Sequence, residues 1–376
     1  MIEVRAPGKL FVAGEYAVVE PGEPAVLVAV DRYVTVRLAP SSGRGRLASD
    51  QYGHLPVVWR REGDRLVLDR EDRPFDYVLA TIAAVERLAR ERGRELGTFD
   101  LSISSELDDL SGRKFGLGSS AAVTVAAARA LDAFYDLRLS RLEVLKLALL
   151  ATWEVNPLAS GGDVASSLYG GWLAYASPER GWVWSHQEGM TLSDLLARDW
   201  PGLAARPLPE PPGARLLVGW TGTPASTFAL VEAVQRRRDA ADTHYREFVA
   251  RSRRCVEDLE AAMRAGDLAG AQAAVRRARR ILGSLAAGAG VSIETPALRL
   301  LCDTAEALGA AAKSSGAGGG DCGIVLADER TDVDTLLQRW EQADIRHLHL
   351  RVHGGADGTG PGAGEGGHAA AEGRKP

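Results

Sequence analysis

Residues 116–131 read GLGSSAAVTVAAARAL, and this segment restricts the fold more than any other part of the chain. Glycines let a backbone turn sharply and approach a ligand closely, and the small and apolar run that follows predicts a helix. A helix that begins after such a turn directs its free N–H groups and its positive dipole end forward, which favours a phosphate there. Ser119 and Ser120 add hydroxyls for phosphate oxygens or magnesium. The spacing of these glycines and serines differs from that of the common P-loop, so we predict a different kind of nucleotide-binding loop. The alternative to phosphate binding is that the glycines and serines only cap a buried helix.

Length and charge set the class of protein. A chain of 376 residues with 45% hydrophobic residues is long enough for two domains with a sizeable core. It contains neither a long apolar run nor a leader pattern, so we expect a cytoplasmic protein. The net charge of −5 argues against nucleic-acid or membrane partners. The arginine clusters 236–238 and 276–280 are expected to be solvated helix faces, with a phosphate-facing role as the less favoured alternative.

Cysteine and lysine are both scarce. The chain has three widely spaced cysteines (Cys255, Cys302 and Cys322), which fit neither a disulfide framework nor a zinc site. Only five of its 45 basic residues are lysines: Lys9, Lys114, Lys146, Lys313 and Lys375. Because a compact ammonium and a planar guanidinium are not interchangeable in a tight site, lysines beside glycines are candidates for specific roles. Lys9, Lys114 and Lys313 lie in or beside glycine-containing segments.

Hydrophobic periodicity predicts a mixed α/β organisation. The first 38 residues alternate as several strands, and further strands are expected at 99–107, 169–176, 214–220, 322–327 and 345–352. Helices are expected at 76–92, 119–135, 140–152, about 226–262, 267–286, 295–309 and 332–343. The segment RPLPEPPG (206–213) is typical of a crossing between domains. The Gly- and Ala-rich tail 354–376 is expected to be disordered.

Four further segments carry residues suited to phosphate chemistry: PGKLFVAGEYAVV (7–19), NPLASGGDVASSLYGGW (156–172), GWTGTPAST (219–227) and KSSGAGGGDCGIVL (313–326). Each has a structural alternative: Lys9 as a surface lysine, Asp163 as a helix cap, and the late glycines as a flexible hairpin. Taken together, two glycine-serine loops, a lysine after a tight turn and an aspartate after two glycines favour phosphoryl transfer. That reaction depends on positioning and charge neutralisation.

Two of these segments and the opening glycine-serine segment resemble the three motifs of the GHMP kinases. The matching stretches are PGKLFVAGEYAVV, GLGSSAAVTVA and SSGAGGGDCGI, and they occur in the family's order. The resemblance covers residues 1–352. Within the family the chain most resembles the phosphomevalonate kinase branch. The markers of that branch are Lys114 before GLGSS, SGGDVASS around Asp163, GWTGTPAST, and the pair Asp321-Cys322.

The resemblance implies an α+β fold with two domains. Residues 1–205 would form an ATP-binding domain like ribosomal protein S5 domain 2. Residues 206–353 would form a ferredoxin-like domain, and residues 354–376 the tail. ATP and the acceptor would meet in the cleft between the two domains.

Matching motifs also imply site residues. ATP and Mg²⁺ are the implied cofactors, and the ATP phosphates would lie on Lys114, Gly116, Leu117, Gly118, Ser119 and Ser120. The acceptor would contact Lys9, Ser160, Asp163, Thr223, Ser226, Ser315, Gly316, Gly318, Gly319 and Asp321. Lys9, Asp163 and Ser120 would be catalytic, with Ser120 reaching the magnesium ion. The magnesium-binding glutamate of mevalonate kinases corresponds to Thr152 here, which leaves Glu154 as a weak candidate ligand.

The implied reaction transfers the γ-phosphoryl group of ATP to 5-phosphomevalonate, giving 5-diphosphomevalonate and ADP on the mevalonate route to isoprenoids. The protein would act as a monomer or homodimer on this small molecule. Mevalonate kinase, diphosphomevalonate decarboxylase and a catalytically inactive ligand sensor remain alternatives. A phosphate monoester has a second pKa of about 6 and is mostly deprotonated at neutral pH. Asp163 is therefore predicted to position groups and not to remove a proton.

Overall fold

The computed structural model describes most of the chain, namely residues 1–51, 55–63, 65–69, 75–109, 112–223, 234 and 243–354. Apart from Gly354, the tail expected to be disordered lies outside these residues. Among the described residues, no helix has the length and apolar character needed to cross a bilayer. The mixed helices and sheets confirm the α+β class.

The first sheet contains eight strands: β1 Ile2–Ala13, β2 Pro24–Ser41, β3 Gly45–Ser49, β4 Val57–Glu62, β5 Arg65–Leu68, β6 Thr98–Ser105, β7 Trp172–Ala176 and β8 Ala204–Leu208. Their order is β5-β4-β3-β6-β2-β7-β8, and β1 pairs antiparallel with the long strand β2. The register places Lys9 opposite Ala29, and β1 is wholly buried from Ala6 to Ala13. A lysine in this strand is therefore covered from solvent.

Helices cover the first sheet on one side. They are α1 Asp76–Glu91, α2 Ser119–Phe134, α3 Arg141–Val155, α4 Gly162–Tyr169, α5 Arg180–Gln187 and α6 Leu192–Ala197. Helix α2 packs on β1 and β2 and contacts α1, α3 and α4, because its many alanines let neighbouring backbones approach closely. Helix α3 begins at a capping box, in which Ser140 and Glu143 satisfy each other's backbone N–H groups.

The second sheet has four strands in the order β10-β11-β9-β12: β9 Arg215–Trp220, β10 Ala311–Ser314, β11 Cys322–Ala327 and β12 Arg346–Leu348. Its helices are α7 Thr243–Ala265, α8 Leu268–Ala289, α9 Pro296–Ala307 and α10 Val333–Glu341. Helix α7 also contacts β1 and β2, so one continuous hydrophobic core joins the first sheet to α7 and α8. A smaller core around Leu301 and Trp340 packs against the second sheet.

The expected division between residues 205 and 206 falls inside β8, which pairs with β7 and belongs to the first sheet. The next strand, β9, belongs to the second sheet. We propose that the division lies at 209–214, the proline-rich segment between β8 and β9, since a strand bonded to β7 cannot be separated from the first sheet.

Candidate active site

One cavity of about 720 Å³ lies where the amino-terminal strand, the glycine-serine loop, the start of α4 and the late glycine loop meet. Most of the residues predicted to form a site line it: Lys9, Lys114, Gly116, Leu117, Gly118, Ser119, Ser120, Ser160, Asp163, Ser315, Gly316, Gly318 and Asp321. Segments that lie more than 300 residues apart in the chain therefore meet at a single site. Such convergence of polar and charged groups is what phosphoryl transfer needs, because it depends on positioning and charge neutralisation.

Lys9 lines this cavity and is only 5% exposed. Its Nζ is 3.2 Å from Asp163 Oδ2 and 5.3 Å from the centroid of the Phe11 ring. The Lys9 backbone N–H donates to the carbonyl of Leu117, which attaches the strand to the glycine-serine loop. Lys9 is thus a buried cation with a fixed direction, and its interpretation as a surface lysine is wrong.

Gly118 has a left-handed backbone and immediately precedes helix α2. A Cβ at this position would lie 2.7 Å from Lys9 Cε, so only glycine lets the lysine pass beneath the loop. Ser119 and Ser120 form the first turn of the helix and face the cavity. The positive end of α2 and the Lys9 ammonium are consequently directed at the same space.

Asp163 lies in the first turn of α4, directly after the left-handed Gly161. A Cβ at Gly161 would lie 2.1 Å from a Leu149 side-chain atom, so the turn requires glycine. The Asp163 side chain is 37% exposed, while that of its partner Lys9 is 6% exposed. Asp163 therefore orients a buried ammonium and still leaves part of its carboxylate open to the cavity.

The late glycine loop attaches to both other motifs. Ser315 Oγ accepts from the Phe11 N–H at 2.8 Å and donates to the Phe11 carbonyl at 3.0 Å. Ser315 was predicted to contact the acceptor and lines the cavity, and its hydroxyl also holds β1 through these two bonds. At the other end, a Cβ on Gly116 would lie 2.7 Å from Asp321, so the two glycine loops are in direct contact there.

Three of the predicted residues that the structure describes do not line the cavity. Thr223 is exposed, and its carbonyl accepts from the Asp321 N–H. Gly319 turns its N–H to the Ile293 carbonyl behind the loop. Glu154 is exposed because two helical residues rotate it about 200° from Thr152, which does line the cavity. Ser226 lies outside the described residues.

Several cavity residues were missed by sequence reasoning. Glu15 and Tyr16 line the cavity, and Glu15 forms a buried ion pair with Lys313. The Tyr16 hydroxyl donates to the Ala317 carbonyl at 2.5 Å, and burial raises the pKa of this tyrosine. The triplet Gly-Glu-Tyr at 14–16 could have signalled both, since a charge inside an apolar strand pattern needs a partner. Tyr245 also lines the cavity and comes from α7.

Cys322 follows Asp321 and has no reactive role. It is fully buried and donates its Sγ–H to the Phe115 carbonyl at 3.0 Å. Burial raises the pKa of its thiol, so the thiolate that would act as a nucleophile is disfavoured. All three cysteines are buried and free in the structure.

A divalent cation would find few protein ligands here. Within the described part of the chain, no cluster of three or more His, Cys, Asp or Glu side chains is arranged to hold a metal. The cavity does offer the Ser120 hydroxyl and the half-exposed carboxylate of Asp163. This donor set suits Mg²⁺, which takes one or two protein oxygens and completes its shell with phosphates and water.

Comparisons with known proteins agree with this geometry. The family model for the GHMP kinases N terminal domain matches residues 76–171, and the model for the GHMP kinases C terminal matches residues 259–346. The first match contains the glycine-serine loop and Asp163. The second contains the late glycine loop.

Relatives cover nearly the whole chain. A phosphomevalonate kinase of Streptomyces sp. strain CL190 is 45% identical over 92% of this chain and 95% of its own length. A Lin0012 protein from Listeria innocua superposes with a TM-score of 0.88 at 38% identity, covering 94% and 97%. Streptococcus pneumoniae phosphomevalonate kinase, in complex with phosphomevalonate and AMPPNP, superposes with a TM-score of 0.82 at 31% identity, covering 94% and 100%. The chain belongs to the GHMP kinase family.

Proposed function

We propose that this protein is a phosphomevalonate kinase, which transfers the γ-phosphoryl group of ATP to 5-phosphomevalonate and releases 5-diphosphomevalonate and ADP. The observation that carries the proposal is the buried Lys9 ammonium, held by Asp163 between the glycine-serine loop and the late glycine loop. The named relatives, which include a structure holding phosphomevalonate and AMPPNP, support the same substrates for this chain.

The donor half of the site is the glycine-serine loop with helix α2 behind it. Backbone N–H groups around Gly118 and the Ser119 and Ser120 hydroxyls bind the ATP phosphates at the positive end of the helix. Lys114, exposed at the cavity rim, adds a cation on the entry side. Mg²⁺, when bound, neutralises charge on the transferred phosphoryl group, and Ser120 is its proposed protein ligand.

The acceptor half must accommodate a second phosphate beside the first. The principal task is therefore to reduce repulsion between two anions, and Lys9 lies where both can contact it. Since the acceptor oxygen is mostly deprotonated at neutral pH, no general base is needed. Asp163 then serves to hold the Lys9 ammonium in position, because its Oδ2 contacts Nζ directly.

Two further expectations are retained as proposals. We place the protein in the cytoplasm, and we keep a monomer or a homodimer as its state. Lys9, Ser120, Asp163 and the residues that line the cavity beside them remain proposed site residues on the strength of their convergence.

An acceptor panel tests the proposed function. ADP release is measured in the presence of Mg²⁺-ATP with mevalonate, its 5-phosphate and its 5-diphosphate as separate acceptors. We expect turnover with the 5-phosphate alone. Turnover with mevalonate, or carbon dioxide release from the diphosphate, would instead identify another member of the family. Nucleotide binding without ADP release for any acceptor would identify an inactive sensor.

A further inference from the structure

Arg180 is a buried arginine that bonds backbone carbonyls beside the cavity. It is the first residue of α5 and is 9% exposed. Its Nη1 donates to the Pro157 carbonyl at 2.6 Å and contacts the Ala159 carbonyl at 3.5 Å. Its Nη2 donates to the Val19 carbonyl at 3.0 Å. One guanidinium thus connects two chain segments that are far apart in sequence.

Both segments border the acceptor end of the cavity. Val18 and Val19 end the short 3-10 helix after the Lys9 strand, and they line the cavity. The loop 158–161 leads into α4 and Asp163, and it also lines the cavity. Arg180 itself does not line the cavity. It lies behind the lining residues and connects the two segments, so it can set the width of the cavity at this end.

Other buried side chains reinforce the same loop. Trp153 Nε1 donates to the Ala159 carbonyl at 3.0 Å, and the Tyr175 hydroxyl donates to the Ser160 carbonyl at 2.7 Å. Together with Arg180 they bond the carbonyls of residues 157, 159 and 160. Trp153 and Tyr175 are buried and do not line the cavity either. These carbonyl oxygens therefore point toward buried side chains and not into the cavity.

This arrangement has an electrostatic consequence. The peptide unit is planar with C=O and N–H on opposite sides, so turning the carbonyls of Ala159 and Ser160 inward turns the next N–H groups outward. Those N–H groups belong to Ser160 and Gly161, and neither has a partner within the described part of the chain. A loop that presents N–H groups is suited to an anion, whereas one that presents carbonyl oxygens would repel it.

We propose that Arg180 is a positioning residue for the phosphorylated acceptor. It holds the loop 157–161 with its carbonyl oxygens turned away from the cavity, and it sets the distance between this loop and Val19. This proposal rests on the proposed function, because it assumes an anionic acceptor at this end of the cavity. The Arg180 bonds to the Pro157, Ala159 and Val19 carbonyls lie at the acceptor end of the cavity, so its effect should fall on the acceptor and not on ATP.

Steady-state kinetics of Arg180→Met and Arg180→Lys test the proposal. Hydrogen bonds to a charged donor correspond to about a 10- to 100-fold change in an equilibrium, and we expect the KM for 5-phosphomevalonate to rise by about that factor in Arg180→Met. The KM for ATP should stay close to the wild-type value. Arg180→Lys keeps a cation in place and should recover part of the acceptor affinity.

A matched control separates this role from general stability. Arg61 is another largely buried arginine, bonded to Glu86 and the Gly97 carbonyl far from the cavity. Arg61→Met should lower the melting temperature and leave both KM values unchanged. Equal rises of both KM values in Arg180→Met, or a lower melting temperature alone, would overturn the proposal.

Tyr175→Phe covers the case in which Arg180→Met does not fold. It removes one hydroxyl and its bond to the Ser160 carbonyl, and we expect a smaller rise in the same acceptor KM. An unchanged acceptor KM in both Tyr175→Phe and Arg180→Lys would contradict the role. A wild-type protein that does not use 5-phosphomevalonate contradicts the proposed function instead, so the two failures are distinguishable.

Discussion

Lys9, Lys146 and Lys313 are buried at positions that suit a compact ammonium. Each of them is at most 5% exposed. The ammonium of Lys9 contacts Asp163, that of Lys146 donates to the Leu196 carbonyl, and that of Lys313 contacts Glu15. A guanidinium is too wide for such positions, especially beneath Gly118, where a single added carbon would already collide with the lysine.

Lys9 and Asp163 should differ sharply on substitution. Lys9→Met removes the cation between two phosphates, and we expect a loss of kcat of about 10³-fold, comparable with the removal of one transition-state stabilising group. Asp163→Asn keeps an oxygen beside the ammonium and should keep appreciable activity, because no proton has to be removed. Measured kcat values for both variants check the ranking.

The opposite order would show that Asp163 is a general base. Lys146→Met is a suitable control, since Lys146 is also buried but donates to carbonyls far from the cavity. It should affect stability and leave kcat unchanged.

The long periodic segments were predictable, whereas the short elements were not. Helices α1, α2, α3, α8 and α9 match their expected positions closely, because apolar periodicity and caps act locally. Strands β3, β4 and β5 and helices α5 and α6 were not predicted. They are short, and neighbouring strands or helices determine their form, which a local pattern does not contain.

Site residues were predictable where backbone shape determines their role. Gly118 and Asp163 follow from turn chemistry that a single segment displays. The bond of Ser315 to Phe11 and the ion pair of Glu15 with Lys313 were not predicted, since each joins residues about 300 positions apart. Glu154 was chosen because it is the carboxylate nearest to Thr152 in the sequence. The rotation of the helix turns its side chain away from the cavity that Thr152 lines.

The glycine-serine loop should tolerate no side chain at Gly118. In Gly118→Ala the new Cβ would displace Lys9, so we expect kcat to fall by about 100-fold, the usual consequence of misplacing a catalytic group by about 1 Å. Steady-state kinetics and a melting curve measure the effect. Gly93→Ala is the matched control, because Gly93 has a similarly positive φ of 69° and no atom within 4 Å of the added carbon.

Gly93→Ala carries the same backbone strain without the collision. It should lower the melting temperature to a similar degree and leave kcat unchanged. A Gly118→Ala enzyme that is as active as Gly93→Ala would show that Lys9 does not depend on the loop above it.

Segments 11–16 and 313–317, about 300 positions apart, are joined at the active site by buried contacts. Glu15 is bonded to Lys313, Phe11 to Ser315, and Tyr16 to Ala317. Continuity of the core between the first sheet and α7 adds to this connection. The acceptor cavity is therefore built from residues of both segments, and it forms only when the two segments are packed together.

Breaking the ion pair between Glu15 and Lys313 should destabilise the protein strongly. Removing one partner leaves an uncompensated buried charge, and Lys313→Met should lower the free energy of unfolding by about 3–5 kcal/mol. The double variant Glu15→Gln with Lys313→Met should recover much of that loss. Urea denaturation measures both.

An exposed pair supplies the comparison. Arg330 is 83% exposed beside Asp328, and Arg330→Met should leave the urea midpoint close to that of the wild type. A Lys313→Met midpoint equally close to wild type would show that the buried pair contributes nothing to stability.

The separation of Glu15 and Lys313 also matters while the protein is being made. The two residues are 298 positions apart, and at ordinary translation rates the carboxylate emerges about 15 to 60 seconds before its ammonium. During that interval the amino-terminal strands exist without the group that neutralises Glu15. The catalytic pocket is thus completed only after the late glycine loop has been synthesised, and a nascent chain interrupted before that loop has no acceptor site.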